Sequence, residues 1–259
     1  MINLESFSIG YNGRNLLENV DTEFPRGELT ALIGRNGSGK STLLQAIAGL
    51  NRNYSGRIII DGKETSMMQP MEMARTLAFV TTERTRIPNL RCEEVVALGR
   101  TPYTDWIGHM TAKDKDIVRK SLDAVGMTDY ARRTMDKMSD GECQRIMVAR
   151  ALAQTTPVII LDEPTSYLDM PNRYGLCLLL SRLAREECKC ILFSTHELDI
   201  AMSIADRVAL IDSPSMVCRH ANDIESGYIL ECIFRDSPVS YDRETGRISV
   251  KTRQPQACD

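Results

Sequence analysis

This chain of 259 residues lacks long hydrophobic runs and a strong excess of charge of either sign. No apolar stretch approaches the roughly 20 residues needed to cross a bilayer, and the opening Met-Ile-Asn-Leu-Glu does not have the charged-then-apolar layout of a secretory signal. We therefore expect a cytoplasmic protein. The net charge of −3 gives no basic field to attract DNA or RNA, so nucleic acid is not an expected ligand.

Paired cysteines are also missing, because the eight cysteines are scattered without a Cys-x-x-Cys motif. Only Cys188 and Cys190 are close in sequence, and no histidine or third cysteine lies at ligand spacing from them. Free thiols are therefore expected, and a metal site at this pair is not. With 42% hydrophobic residues and no internal repeat, the chain is expected to form one large α/β domain with an inserted lobe.

What the chain does have is a glycine-rich loop between a strand pattern and a helix pattern. Apolar residues 29–33 predict a buried strand, and residues 41–48 predict a helix that ends at Gly49. Between them, Gly-Arg-Asn-Gly-Ser-Gly-Lys-Ser at 34–41 has the spacing of a P-loop, in which backbone N–H groups and a helix N-terminus hold phosphate. The sequence therefore predicts binding of a nucleoside triphosphate.

The side chains of this loop have separate expected roles. Lys40 reaches the β- and γ-phosphates, Ser41 offers a hydroxyl ligand to Mg²⁺, and Thr42 lies near the α-phosphate. The candidate nucleotide-binding residues of the stretch are Gly34, Asn36, Gly37, Ser38, Gly39, Lys40, Ser41 and Thr42.

The regions around the loop differ in their periodicity. Residues 2–24 and 56–62 predict a small antiparallel sheet with an Asn-Gly hairpin turn after Tyr11. Residues from about 84 to 156 carry helical apolar spacing and form the candidate inserted subdomain.

Three uninterrupted apolar runs, at 158–161, 190–194 and 207–212, predict strands buried on both faces of a parallel sheet. A helix is expected from Pro171 to about Glu187, and the alternation predicts a doubly wound α/β sheet with ligands at its carboxyl edge.

The C-terminal part of the chain is the least informative. The main domain is expected to cover residues 1–212. Residues 213–259 form an extension of unknown role, irregular except for one strand candidate at 247–250.

An acidic pair follows the first of these buried strands. Asp162 can hold Mg²⁺ through water, and Glu163 can orient and deprotonate an attacking water molecule. Capping of a strand end is the plainer alternative for such a pair. After a P-loop, the pair favours hydrolysis of the bound nucleotide.

Further motifs come in a fixed order along the chain. Tyr11 is followed by Leu-Ala-Phe-Val-Thr-Thr at 77–82, Met-Ser-Asp-Gly-Glu at 138–142, Ser-Tyr-Leu-Asp at 166–169 and Ser-Thr-His at 194–196. In that order they resemble the adenine-stacking aromatic residue, Q-loop, signature motif, D-loop and switch histidine of the ATP-binding subunits of ABC transporters.

The resemblance covers residues 2 to about 212 and implies a homodimer that hydrolyses ATP with Mg²⁺. In the family the signature of one copy covers the γ-phosphate held by the other, which implies nucleotide contacts for Ser139, Gly141, Glu142 and Asp169. It also implies integral-membrane permease partners, an indirect substrate-binding protein, and a place on the inner face of the membrane.

Plainer interpretations stand beside three of these residues. Ser139 with Glu142 also has the spacing of a helix capping box. His196 follows a strand, where the resemblance implies that it faces the γ-phosphate, although a lone histidine there is usually structural. Tyr11 could stack on adenine or pack over the hairpin turn.

Two positions depart from the family pattern. The Q-loop glutamine, a Mg²⁺ contact in the family, is replaced by Thr82, with Glu83 as the alternative ligand. Asp140 replaces the usual signature glycine and brings negative charge near the phosphate-facing turn. Both changes affect the expected coupling to the permease more than the chemistry.

One stretch, Val-Val-Ala-Leu-Gly-Arg-Thr-Pro-Tyr at 95–103, narrows the range of expected cargo. It resembles a stretch of importers for iron chelates, haem and vitamin B12, and its place in the inserted lobe favours a permease-facing role. The plainer interpretation is a helix that ends at Gly99. The alternatives for the whole chain are a non-hydrolysing nucleotide-dependent regulator and a non-transport ABC ATPase.

Overall fold

Strands and helices alternate through most of the computed structural model, which describes residues 1–11, 13–82, 87–225, 234, 239–242 and 247–250. The strands are β1 (Ile2–Tyr11), β2 (Arg14–Phe24), β3 (Leu29–Gly34), β4 (Tyr54–Ile60), β5 (Lys63–Glu64), β6 (Leu77–Val80), β7 (Val158–Leu161), β8 (Cys190–Ser194), β9 (Arg207–Asp212), β10 (Ser215–His220), β11 (Val239–Asp242) and β12 (Arg247–Val250). The α-helices are α1 (Lys40–Ile47), α2 (Pro70–Thr76), α3 (Cys92–Ala97), α4 (Ala112–Ala124), α5 (Asp140–Ala153), α6 (Met170–Glu186), α7 (Leu198–Ile204) and α8 (Ala221–Glu225).

The N-terminal sheet is antiparallel throughout and has the strand order β2-β1-β4-β5. Tyr11 pairs with Arg14, which confirms the expected hairpin, although Asn12 of its turn lies outside the described residues. β4 begins two residues before the expected 56–62 because Tyr54 pairs with β1, and it ends before the turn at Asp61.

The larger sheet has the order β10-β9-β3-β8-β7-β6, and all its neighbours are parallel except β10 and β9. The expected α/β class is therefore confirmed, and β7, β8 and β9 have the bounds that the apolar runs predict. Because parallel strands end at one edge, this order brings the carboxyl ends of β3, β7 and β8 side by side.

Two hydrophobic cores lie on the two faces of this sheet. On one face α1 is enclosed between both sheets, with Leu44 and Ile47 fully buried against Phe7 of β1 and Leu32 of β3. On the other face helices α3 to α7 pack over the sheet, and Phe193 of β8 is fully buried there. The helix that follows the phosphate loop is thus fixed from both sides.

The helical lobe, which is the candidate inserted subdomain at about 84–156, differs from one interpretation of the sequence. The plainer interpretation of the stretch 95–103 was a helix that ends at Gly99, but α3 ends at Ala97 and a 3-10 helix covers Leu98–Tyr103. Gly99 has no room for a side chain, since a Cβ there would lie 2.2 Å from the carbonyl oxygen of Arg150. Close packing on α5, and not a helix end, explains this glycine.

The C-terminal part is more regular than the sequence predicts. The irregular chain expected after residue 213 is wrong for β10, which pairs antiparallel with β9 and covers the edge of the larger sheet. The strand at 247–250 is confirmed as β12, paired with β11.

Two further observations concern the described residues alone. Six described cysteines are free thiols, while Cys232 and Cys258 lie outside the described residues. No helix in the described part of the chain is both long and apolar enough to cross a membrane.

Candidate functional site

The phosphate loop connects the end of β3 to the start of α1. Gly39 is the N-cap of α1 with φ 105°, a left-handed conformation that glycine adopts without strain. Lys40 is 7% exposed, and its Nζ donates to the carbonyl oxygens of Gly34 at 2.9 Å and Arg35 at 3.4 Å. The ammonium therefore already lies across the loop.

Burial disfavours the charged form of Lys40, whereas two neighbouring carboxylates favour it. Desolvation lowers the pKa of its ammonium from the usual value, and the carboxylates of Glu163 and Asp162 act in the opposite direction. A phosphate group beside Lys40 would add negative charge at a position where positive charge is poorly solvated.

The loop has polar groups that the protein leaves unused. Ser38 Oγ is buried and has no hydrogen-bond partner among the described residues. Gly39 has no side chain to cap the first N–H groups of α1, whereas Asn36, Gly37 and Ser41 are exposed. An orphaned hydroxyl and an uncapped helix start suit a polyphosphate. Thr42, one residue further on, is half-buried.

Asp162 and Glu163 lie at the carboxyl end of β7, held in place by the neighbouring strands. The N–H of Asp162 donates to the Val80 carbonyl at 2.8 Å. Ser194 at the end of β8 donates its hydroxyl to Asp162 Oδ1 at 2.6 Å and accepts from the Glu163 N–H at 2.8 Å. One serine thus fixes both acidic residues.

Glu163 has a strained backbone and a directed carboxylate. Its φ of 47° is rare for a side-chain-bearing residue, and such strain concentrates at functional sites. Ser166 Oγ lies 3.2 Å from Glu163 Oε2, and His196 Nδ1 lies 3.9 Å from Oε1. The His196 side chain is 54% exposed and so is not a core histidine.

Thr82 lies two residues after the end of β6, beside the acidic pair. Its hydroxyl donates to the carbonyl oxygen of Asp162 at 3.1 Å. The structure therefore brings Thr82 to the edge where Asp162 lies. The alternative ligand, Glu83, lies outside the described residues.

The signature residues begin α5 and form a capping box. Ser139 is the N-cap, accepting from the Glu142 N–H at 3.3 Å, while its own N–H donates to Glu142 Oε2 at 2.8 Å. That backbone hydrogen bond is the main cause that lowers the pKa of Glu142. The alternative capping role is therefore real in the folded chain.

The signature and the D-loop line one cavity of about 530 Å³. Its lining includes Ser139, Gly141, Glu142 and Asp169, and does not include Lys40, Asp162 or Glu163. Asp169 also caps α6, accepting from the Asn172 N–H at 3.2 Å. One chain therefore has two separate groups of site residues, one at the phosphate loop and one at the signature.

Two other expectations have different outcomes. Tyr11 is 73% exposed at the end of β1, so its ring is open to a base. Arg100, in the stretch expected to face a permease, is instead 5% exposed and turns inward to Asp114. That expectation is wrong for Arg100, whereas Leu98 and Tyr103 are partly exposed.

The sequence interpretation missed the roles of Ser194 and Ser166. Both belong to recognised motifs, but their hydrogen bonds cross from strand to strand or reach back three residues. A small hydroxyl at the polar end of an apolar strand, level with an acidic residue on a neighbouring strand, is the signal that marks Ser194.

Known proteins are similar to this chain in sequence. The model of the ABC transporter family matches residues 17–166. An uncharacterised ABC transporter ATP-binding protein of Methanocaldococcus jannaschii is 42% identical, covering 84% of this chain and 75% of that protein. An iron(3+)-hydroxamate import ATP-binding protein of Bacillus subtilis is 31% identical over 95% of this chain and 92% of that protein. A hemin import ATP-binding protein of Nocardia farcinica is 38% identical over 77% and 68%.

Solved structures are similar as well. A metal-chelate type ABC transporter in an inward-facing conformation has a TM-score of 0.79 and 25% identity, covering 90% of this chain and 88% of that one. A dimeric ATP-binding cassette bound to ADP and phosphate has a TM-score of 0.75 and 27% identity, covering 85% and 99%. This chain therefore belongs to the ABC transporter family, as one of the ATP-binding subunits that hydrolyse ATP.

Proposed function

We propose that the chain is the ATP-hydrolysing subunit of an importer for an iron siderophore, haem or cobalamin. Two copies close on two MgATP and drive a membrane permease, which a substrate-binding protein supplies. The chain lies on the cytoplasmic face of the membrane, attached through the permease. The names of the hydroxamate and hemin relatives support the cargo class.

The convergence of Lys40, Asp162, Glu163 and His196 at one edge of the larger sheet carries the proposal. The charges of the Glu163 and Asp162 carboxylates favour the charged form of Lys40 and so act against the lowering of its pKa by burial. His196 Nδ1 is 3.9 Å from Glu163 Oε1. Lys40 contacts the terminal phosphates, and Glu163 accepts a proton from the attacking water. Glu163 itself is held in position by Ser166, which contacts its carboxylate, and by Ser194, which accepts from its N–H.

The residues present also fit Mg²⁺. This cation prefers oxygen ligands, which a few protein residues and the phosphates of the substrate supply together. Ser41, Asp162 and Thr82 offer such oxygens beside the loop. When bound, the ion neutralises charge on the phosphate oxygens. Ser194 holds the Asp162 carboxylate at 2.6 Å, so this ligand is oriented before any metal arrives.

The signature group completes the site of a second copy. Ser139, Gly141, Glu142 and Asp169 line a cavity apart from the phosphate loop of their own chain. The N-terminal end of α5 favours an anion, which the γ-phosphate on the partner provides. Tyr11, 73% exposed, stacks on adenine.

The hydrolytic part is tested with Lys40→Ala and Glu163→Gln. Lys40→Ala removes the phosphate contact and is expected to abolish ATP turnover. Glu163→Gln keeps ATP binding, but turnover falls at least 100-fold, and the protein accumulates as an ATP-dependent dimer in analytical ultracentrifugation. A Glu163→Gln protein that stays monomeric with saturating ATP and its permease would refute the proposal.

The cargo is tested by transport with the matching permease. Vesicles that contain the permease and this chain are supplied with a ferric siderophore, haem or cobalamin and the binding protein. ATP-dependent uptake of one of them, lost in Glu163→Gln, supports the proposal. ATP turnover without uptake of any of them favours a non-transport ATPase, and ATP binding without phosphate release favours the regulator.

A further inference from the structure

Arg100 is a charged side chain buried inside the helical lobe. It is 5% exposed, and its Nε donates to Oδ1 of the equally buried Asp114 at 2.9 Å. The ring of Tyr103 covers the guanidinium, with Cζ 4.1 Å from the ring centroid. Burying an ion pair is costly unless the geometry is good and further hydrogen bonds are made, so the remaining donors of Arg100 are informative.

The remaining contacts of Arg100 hold the carboxyl end of α5. Nη1 donates to the carbonyl oxygen of Ala153, the last residue of α5, at 2.8 Å and to Thr155 Oγ1 at 2.9 Å. Beside it, Gly99 lies so close to the Arg150 carbonyl that no side chain fits between them. The guanidinium therefore joins α4, the 3-10 helix and α5 at a single point.

The same end of α5 is joined to the larger sheet. Gln154, the C-cap of α5, donates Nε2 to the carbonyl oxygens of Ala74 at 2.6 Å and Leu77 at 2.9 Å. Leu77 begins β6, the neighbour of β7, which Asp162 directly follows. The anchor at Arg100 thus lies where the helical lobe meets the sheet that carries the acidic pair.

The other end of α5 carries the signature. The helix has 14 residues and spans about 21 Å, from the capping box at Ser139 to Ala153. A regular helix transmits the orientation of one end to the other because its backbone hydrogen bonds make it stiff. The direction in which Ser139 and Gly141 face is therefore set partly at the far end, by the hydrogen bonds of Arg100.

From these contacts we infer that Arg100 is a positioning residue for ATP hydrolysis, which fixes α5 so that the signature turn meets the nucleotide held by the partner copy. The inference rests on the proposed homodimer. Arg100 does not contact nucleotide itself. It acts through α5, and its loss affects dimer closure while leaving ATP binding by the single protomer intact.

The test uses Arg100→Lys in the Glu163→Gln background. A lysine keeps the charge but cannot serve Asp114, Ala153 and Thr155 with one planar fork. The expected result is an ATP affinity of the protomer within twofold of the parent and at least a tenfold higher ATP concentration for half-maximal dimerisation. Arg119→Lys is the matched control, because Arg119 pairs with Asp116 on the exposed face of α4.

A second variant separates positioning from stability. Arg100→Met with Asp114→Asn removes both buried charges and keeps an acceptor for the Thr111 N–H at the start of α4, so thermal stability returns towards that of the parent. The donors to Ala153 and Thr155 are nevertheless gone. Dimerisation is expected to remain impaired. Recovery of dimerisation together with stability overturns the inference, as does unchanged dimerisation in Arg100→Lys or failure of that variant to fold. If the Glu163→Gln parent does not dimerise, the homodimer itself fails, which is a distinct outcome.

Discussion

At the scale of single residues, Ser194 connects the two acidic groups of the site. Its hydroxyl donates to Asp162 and accepts from the backbone of Glu163, whose φ of 47° is costly for a glutamate. The strained backbone persists because a hydrogen bond on a buried strand end holds it. The orientation of the Asp162 carboxylate and the position of the Glu163 backbone therefore depend on one hydroxyl.

Ser194→Ala is predicted to lower kcat for ATP about 10- to 100-fold, in line with the loss of an orienting group beside a catalytic site. The KM for ATP changes less than threefold, because the phosphate loop is untouched. Steady-state phosphate release measures both constants. Ser203→Ala on the exposed side of α7 is the control. An equal loss of activity in the control would contradict the role of Ser194.

Asp140 is the residue whose charge is least expected at the signature. It is half-buried, lies in the first turn of α5 and lines the cavity shared with Asp169. A carboxylate that lies a few ångströms from a bound phosphate in a solvent-exposed site repels it by about 1 kcal/mol.

Asp140→Gly, in the Glu163→Gln background, is predicted to lower the ATP concentration for half-maximal dimerisation about fivefold, as the removal of about 1 kcal/mol of repulsion implies. Asp140→Asn tests whether charge alone is responsible and is expected to behave in the same direction. Sedimentation across an ATP titration gives the midpoints. Weaker dimerisation in both variants would show that Asp140 contacts the partner favourably.

At the scale of helices and strands, the sequence predicts elements well where one pattern dominates. The apolar runs at β7, β8 and β9 give the bounds because nothing polar interrupts a doubly buried strand. The loop between β3 and α1 is predicted equally well, because its glycines have the spacing of a phosphate-binding loop between a strand pattern and a helix pattern. β10 was missed because its apolar residues, Met216 to Cys218, are only three in a row and none of the strand's residues is fully buried at this sheet edge.

The helical lobe shows why other features could not be predicted. Gly99 reads as a helix end in sequence, whereas its role is contact with the Arg150 carbonyl, about fifty residues away in the chain. Arg100 belongs to the stretch that was expected to face a permease, since periodicity does not reveal an ion pair with Asp114 inside the lobe. The expected roles of Lys40 and Glu163 came from the phosphate loop and the acidic pair, and that of His196 from the resemblance. The motifs contain Ser166 and Ser194 but do not show that these serines contact the acidic residues.

Gly99→Ala is predicted to lower the free energy of unfolding by about 2 kcal/mol, because the new methyl group would lie 2.2 Å from the Arg150 carbonyl oxygen. Gly175→Ala in the middle of α6 is the control, since open space surrounds that position and alanine favours helix by about 0.5 to 1 kcal/mol. Urea unfolding measures both. Equal stability of Gly99→Ala and the parent would contradict the close packing.

Asp114 gives a prediction about pH. Hydrogen bonds from the Thr111 hydroxyl and N–H, followed by the Arg100 guanidinium, lower the pKa of Asp114. A folded-state pKa below the unfolded one adds stability that is complete above the unfolded value of about 4 and is lost as the pH falls through the folded value.

Asp114→Asn is therefore predicted to lose about 3 kcal/mol of unfolding free energy at neutral pH, where Arg100 would remain buried without its partner. The difference from the parent narrows as the pH falls below about 4. Urea unfolding at neutral pH and at about pH 3 gives the comparison. A difference that is the same at both pH values would contradict the pKa argument.

At the scale of the whole molecule, the separation of the two groups of site residues supports the proposed homodimer. The phosphate loop lies at the carboxyl edge of the larger sheet, and the signature cavity contains none of Lys40, Asp162 and Glu163. In the proposed homodimer, the second copy brings the N-terminus of α5 to the nucleotide held at the loop. The dimeric cassette among the similar structures has this same fold.

A mixing experiment tests that arrangement. Lys40→Ala inactivates the loop, and Ser139→Phe blocks the signature, so each protein alone is expected to be inactive. In a mixed dimer that is completed across chains, one site pairs an intact loop with an intact signature, and ATP turnover returns to a fraction of the parent value. Coupled-enzyme assays of the mixture measure it. A mixture as inactive as its components would place both groups in one chain.

The enclosure of α1 between the two sheets has a consequence for motion. Because Leu44 and Ile47 are fully buried against strands on both sides, the phosphate-binding helix cannot shift without disturbing both cores. Its amide hydrogens should be among the slowest to exchange with deuterated water, with or without nucleotide. In the proposed cycle, internal shape changes are therefore expected in the helices on the opposite face, while the bound nucleotide keeps a fixed position on the larger sheet.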